Sequence, residues 1–229
     1  MPASANSGTT ILIPKEAFPN LLRVGFWICI VIAVAVVIRR IVALVHPPQS
    51  QPPQMAGLDE AFASHAALTL VHILSALAFV LLLSLTYFRR FVSSEWIAQL
   101  LFPLGAIVGI TAYAMSAYAI GGWIERSAVF FFNSFFLYSL FRAWQYRRFS
   151  EVKLKQQWLT RAVAILLGIA TTGPVMGIFF ATSTLTHLKP QQFFGIAFWI
   201  GFSINTLAID LWLRSRQHSH QFERTAAHS

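Results

Sequence analysis

The chain has 229 residues, 56% of them hydrophobic and 11% charged, against roughly a quarter charged in soluble domains. That balance excludes a water-soluble globule, because so much apolar surface has to face lipid. The net charge of +9 does not point to nucleic acid, since the basic residues sit at the ends of apolar runs, as membrane topology uses them, and not along a solvated face.

Six apolar segments, roughly 21–45, 65–88, 96–120, 123–145, 158–183 and 191–213, each reach the length of about 20 residues that crosses hydrocarbon as a helix. The expected fold is therefore all-α, a polytopic transmembrane bundle of six helices. Residues 1–20 read as a cytoplasmic N-terminal segment, 21–213 as the transmembrane domain and 214–229 as a polar cytoplasmic tail. The first run ends in Arg39-Arg40 with no small-residue cleavage site behind it, so it reads as a retained helix and not a signal peptide. His46-Pro47-Pro48 opens a Pro- and Gln-rich loop, and Gly121-Gly122 is expected to close the third helix. A charged stretch from Arg147 to Gln157 is expected to separate the fourth helix from the fifth, and Thr186 to Pro190 to form the last turn.

Lys and Arg set the orientation. With the N-terminus inside, thirteen of them fall on that side, among them Arg23, Arg89, Arg90, Arg142, Arg147, Arg148, Lys153, Lys155, Arg161 and Arg214, and four (Arg39, Arg40, Arg126, Lys189) fall on the other. Such a positive-inside bias places both termini in the cytoplasm and the chain in the cell (inner) membrane as a multi-pass protein.

Gly105 and Gly109 form a GxxxG spacing that lets another helix approach closely. Pro103 and Pro174 lie within helices and are expected to kink them. The single cysteine, Cys29, leaves no disulfide framework or CxxC pair and reads as a small apolar residue.

Polar side chains in lipid cost several kcal/mol unless partnered, so each requires an account. Asp210 precedes Arg214 by one turn and suits an interfacial ion pair. Asn133 and Asn205 suit hydrogen bonds to neighbouring helices, and Arg142 and Arg161 can snorkel to the inner surface. His218, His220 and His228 belong to the polar tail.

His72, Arg39 and Arg40 stand apart. All three lie about two turns inside the outer ends of their helices, roughly 10 Å deep. His65 shares a helix face with His72, and Tyr113, Ser116 and Tyr118 occupy the outer half of the third helix. Neighbouring helices would gather an imidazole, a guanidinium pair and hydroxyls into one pocket. Haem b would use His72 as a ligand to its iron and Arg39 or Arg40 against its propionates. A quinone would use the imidazole as a hydrogen-bond partner for its carbonyl, and an anionic lipid headgroup would use the arginines. In a purely structural alternative the arginines snorkel outward and His72 is hydrogen-bonded within the bundle. Bis-histidine haem lacks its second imidazole, because helices three to six contain none and His65 shares a helix with His72. Soluble-enzyme motifs such as GxSxG, the Walker loop and HExxH are absent, as is an intramembrane carboxylate pair.

The Arg39-Arg40 pair, His72 within LVHILSALAF, Gly121-Gly122 and Trp158-x-x-Arg161 within QQWLTRA resemble the DUF2306 family of bacterial multi-pass membrane proteins. The resemblance implies the six-helix layout and no particular activity. The chain departs from it where Arg89-Arg90-Phe91-Val92-Ser93 replaces the family's His-Arg and Gly-Arg pattern, and where Lys155-Gln156 stands in place of a histidine before the Trp.

Three functional expectations result. The first is a non-catalytic accessory or interaction subunit, contacting membrane lipids and other membrane protein subunits through a lipid-facing GxxxG and aromatic surfaces. The second is a redox protein holding haem or quinone near His72. The third is a small-anion transporter using Arg39 and Arg40.

Overall fold

The computed structural model describes residues 17–45, 60, 62–86, 95–186 and 190–226. Every element among them is helical: α1 (Ala17–Val45), α2 (Ala66–Thr86), α3 (Glu95–Ser116), α4 (Gly122–Arg148), α5 in two segments (Val152–Leu166 and Gly168–Thr186) and α6 (Pro190–Ala226). Arg89-Arg90, His46 with the proline-rich loop to residue 59, His187, Lys189, His228 and residues 1–16 lie outside the described residues.

Six helices form, and five of them, α1, α2, α3, α5 and α6, are long and apolar enough to cross a membrane. The fourth is the exception to the expectation of six self-sufficient segments. Its 27 residues span about 40 Å, yet Glu125, Arg126, Asn133, Arg142 and three serines dilute its apolar character. It sits against three other helices, with side chains paired along its length. The partners run in opposite order on α3: Leu140 meets Gly105, Asn133 Nδ2 donates to the Gly109 carbonyl at 2.9 Å, and Arg126 donates to the Ala117 carbonyl at 2.8 Å. Helices α3 and α4 are therefore antiparallel. On α6 the order matches: Gly121 touches Gly195, the Trp199 indole N–H meets Ser127 Oγ at 3.2 Å, and Phe132 packs on Phe202.

Several of these approaches are close enough to require glycine. A Cβ on Gly195 would stand 2.8 Å from the Glu125 backbone nitrogen, and one on Gly201 would stand 2.7 Å from the Thr172 nitrogen. The Gly105/Gly109 pair does admit a neighbouring helix, but that helix is α4, through Leu137 and Leu140. The GxxxG is thus used within the chain and is not a lipid-facing surface for a partner.

Other boundaries differ from the sequence reading. Helix α3 ends at Ser116, and Gly121-Gly122 opens α4, with Gly121 as N-cap and Gly122 at φ +61. Helix α4 runs to Arg148 and α5 starts at Val152, so the basic stretch is mostly helical and the turn needs only Phe149, Ser150 (φ 56) and Glu151. Lys, Arg and Gln are good helix formers, so the helices continue past the hydrocarbon into the aqueous layer. The tail after residue 213 is likewise helical as far as Ala226. Pro103 and Pro174 sit inside helical segments, and the one interruption of α5 falls at Leu167, beside Gly168, which packs on Phe202.

The basic end is held by aromatic and ionic contacts. Asp210 meets Arg214 at 2.8 Å and also Arg161 at 3.1 Å, so Arg161 joins an ion pair across α5 and α6 besides lying 4.6 Å from the Trp158 ring. Arg148 lies 3.9 Å over Trp144, and Arg142 donates to the Tyr146 hydroxyl at 2.6 Å. Asn205 accepts from Thr171 at 2.8 Å, the interhelical bond expected of it.

Two substitutions separate close approach from open space. Gly201→Val should lower the stability of the detergent-solubilised protein by about 1–3 kcal/mol through overpacking. Gly177→Ala, where nothing lies within 4 Å of the added carbon, should leave it unchanged or slightly raised; thermal unfolding followed by circular dichroism at 222 nm measures both. Asp210→Asn should cost roughly 2 kcal/mol in the same assay, as charge-assisted bonds to two arginines are lost.

Candidate functional site

Between the tight α3–α4–α6 packing and the outer helices α1, α2 and the second α5 segment lies a cavity of about 560 Å³, bordered by all six helices. It exists because the facing sequence is short of bulk. Ala33 and Val34 on α1, Ala76 on α2, and Gly173 and Gly177 on α5 line it, and at both of those glycines the space beyond the backbone is empty. Along α2 it runs from His65 to Val80, about 22 Å at the helical rise.

The wall is apolar in its inner part, where Val80, Val108, Phe136, Ile165 and Phe202 border it. Polar groups gather toward the outer end, and most of them are satisfied locally. Thr69 donates to the Phe62 carbonyl, Ser116 to the Tyr113 carbonyl and Thr172 to the Gly168 carbonyl. Arg40 places its guanidinium 4.0 Å over the Phe62 ring, a cation–π contact that keeps its charge beside the mouth. His65 stacks on Tyr118 with centroids 3.6 Å apart and bonds Ser64 through Nδ1 at 2.9 Å.

His72 is different. Its Nδ1 lies 2.9 Å from Thr111 Oγ1. The Thr111 hydroxyl has one proton, and it is directed to the backbone carbonyls of its own helix, Ile107 at 2.7 Å and Val108 at 3.1 Å. With its proton on its own helix, Thr111 accepts from the imidazole. Nδ1 carries the hydrogen, and Nε2 keeps its lone pair. The ring is half-buried, and the surface it leaves open borders the cavity.

Four of the five residues singled out from sequence, His72, Arg39, Arg40 and His65, line this one cavity, which confirms that α1 and α2 are neighbours. Tyr113 does not join them. Its hydroxyl bonds Ser134 Oγ at 2.7 Å and its ring lies by Phe130, on the outward face of α3 and α4. Thr111, two residues earlier, takes the position next to the imidazole.

Glu125 was missed. It is 8% exposed, borders the cavity, and accepts the Gly121 N–H at 2.6 Å. The cue was its place in the first turn after Gly121-Gly122, where a carboxylate meets unpaired helical N–H groups and the positive end of the helix dipole. Its role in the structure is to close the start of α4. No group of three or more His, Cys, Asp or Glu capable of holding a metal ion occurs among the described residues.

Fold and site together define a polytopic helical membrane protein with an internal, largely apolar cavity. Comparison with known protein families, with curated proteins and with solved structures gives no match.

The Thr111 contact is worth little in stability, since hydrogen bonds between membrane helices average about 0.6 kcal/mol. Thr111→Val should therefore lower stability by no more than about 1 kcal/mol and leave the helical spectrum intact. A loss of folded protein in this variant would make the His72–Thr111 pair a structural linchpin instead.

Proposed function

We propose that this chain is a multi-pass protein of the cell membrane that holds a membrane-soluble amphiphile of the quinone class, with its head beside His72 and its tail along the cavity. The carrying observation is the shape and polarity of the cavity. It is long, reaches all six helices, is mostly apolar over its inner length, and has the His72 imidazole on its wall about midway along α2. Ligand sites have this composition, mostly apolar with a few fixed polar groups that orient the occupant.

Haem b is a second reading, favoured by the same nitrogen. Metal-ligating histidines donate their other ring N–H to a fixed acceptor, and His72 does so to Thr111. The second axial position is not supplied by His65, which shares the helix side of His72 and is stacked on Tyr118. An accessory role would use a different surface, the outward face of α4, where Trp123, Phe130, Phe131 and Tyr138 flank Ser127 and Ser134 in a shallow groove. Membrane lipid or a neighbouring subunit would cover it.

Decylubiquinone added to purified protein in detergent should raise the unfolding temperature, with about 2.7 kcal/mol of stabilisation at a hundredfold excess over Kd. Gly177→Phe, which fills open space, should keep the unliganded melting temperature and abolish the shift. Absence of any shift, together with no isoprenoid quinone in a solvent extract of the wild-type protein, would overturn the quinone reading. A reduced-minus-oxidised α band that disappears in His72→Ala would move the assignment to haem.

A further inference from the structure

We infer that the cavity selects its occupant through a hydrogen bond that the headgroup donates, so that the hydroquinone form is bound in preference to the quinone. This rests on the quinone-class reading and adds the oxidation state of the ligand to it.

The inference comes from the direction of three hydrogen bonds. Thr111 spends its proton on the Ile107 carbonyl at 2.7 Å. It therefore turns lone pairs to His72 Nδ1 at 2.9 Å, and Nδ1 must be the donor. In the neutral ring this leaves Nε2 as an acceptor. A quinone carbonyl brought to this edge would set lone pairs against a lone pair, leaving two desolvated acceptors unpaired. A hydroquinone hydroxyl at the same place supplies the missing proton and forms an O–H···N bond.

Rotation of the ring does not rescue the carbonyl. Presenting an N–H to the cavity would place the bare nitrogen against the Thr111 oxygen, an acceptor in this arrangement. The selectivity is thus built into α3 and not into the imidazole alone. Thr69, Ser116 and Thr172 of the wall are committed to the Phe62, Tyr113 and Gly168 carbonyls, so these three hydroxyls do not offset the mismatch. Sites built around a hydrogen bond discriminate well between partners that make it and those that leave a buried group unpaired.

Isothermal titration of the folded, full-length protein with decylubiquinol under argon, and separately with decylubiquinone, measures the difference. The expected result is tighter binding of the quinol by about tenfold, the equivalent of one well-formed bond. In His72→Phe, which keeps ring volume without the nitrogen, the two affinities should agree within about twofold. Where His72→Phe fails to fold, His72→Gln serves, since its amide can turn either an N–H or a carbonyl to the ligand and should likewise erase the preference. Equal binding of both forms by the wild-type protein, or tighter binding of the quinone, overturns the selectivity and leaves the quinone-class reading standing. A preference that survives in both variants overturns the role of His72. Binding of neither form overturns both readings.

Discussion

Inside hydrocarbon there is no water to accept or donate a hydrogen bond, so each polar group of a spanning helix has to be answered by the protein itself. Helix α4 shows how far that constraint shapes this chain. On its own it is too polar to cross a membrane, unlike the other five. Within the bundle several of its polar side chains find partners, Asn133 on α3, Ser127 beneath the Trp199 indole of α6, Arg126 on the turn that precedes it, and Glu125 on the N–H of its own N-cap, while Ser139 Oγ is buried without one. The helix is stable in lipid because three neighbours are already there. Its central position follows from chemistry that would be unfavourable at the edge of the bundle.

Glycine makes those answers geometrically possible. Hydrogen bonds such as Asn133 to the Gly109 carbonyl need the two backbones closer than Leu–Leu packing allows, and Gly109 is where α4 comes in. The same holds for Gly195 beside Glu125 and Gly201 beside Thr172. Gly173 and Gly177 obey a different logic. Nothing packs on them, and they face the cavity. One residue type therefore closes one side of the bundle and opens the other. Empty apolar space is costly, because the atoms that line it lose dispersion contacts. The bundle that packs α3, α4 and α6 tightly thus leaves about 560 Å³ open beside them.

Depth was legible in the sequence, whereas direction around each helix was not. Apolar length and the bias of Lys and Arg suffice to count six helices and to place His72, Arg39 and Arg40 toward one side of the bundle, because rise per residue is fixed. The ion pair of Asp210 with Arg214 and the bond of Asn205 to a neighbouring helix were also readable, each from local spacing. Tyr113 and Thr111 mark the boundary of that method. They are nearly level but about 200° apart around α3, and only the packing of α2 decides which faces the imidazole. Hydropathy treated Gly121-Gly122 as an ending, although φ +61 at Gly122 and a carboxylate three residues later belong to a helix start. Arg161 was read as snorkelling because its partner, Asp210, is 49 residues away in the chain.

The vertical placement of the cavity follows from its far end. Arg142, Arg148 and Arg161 lie against Tyr146, Trp144 and Trp158, and Asp210 ties two of the helices together at that level. Aromatic and basic side chains of this kind settle at the headgroup layer, so the basic end cannot slide into hydrocarbon. From Asp210 to Phe194, which borders the cavity near its outer end, α6 rises about 24 Å. The outer end of the cavity is therefore held at a fixed height by contacts made on the opposite side. An amphiphile whose polar head reaches His72 must point its tail toward the bilayer midplane, which is the direction in which the wall loses its polar groups.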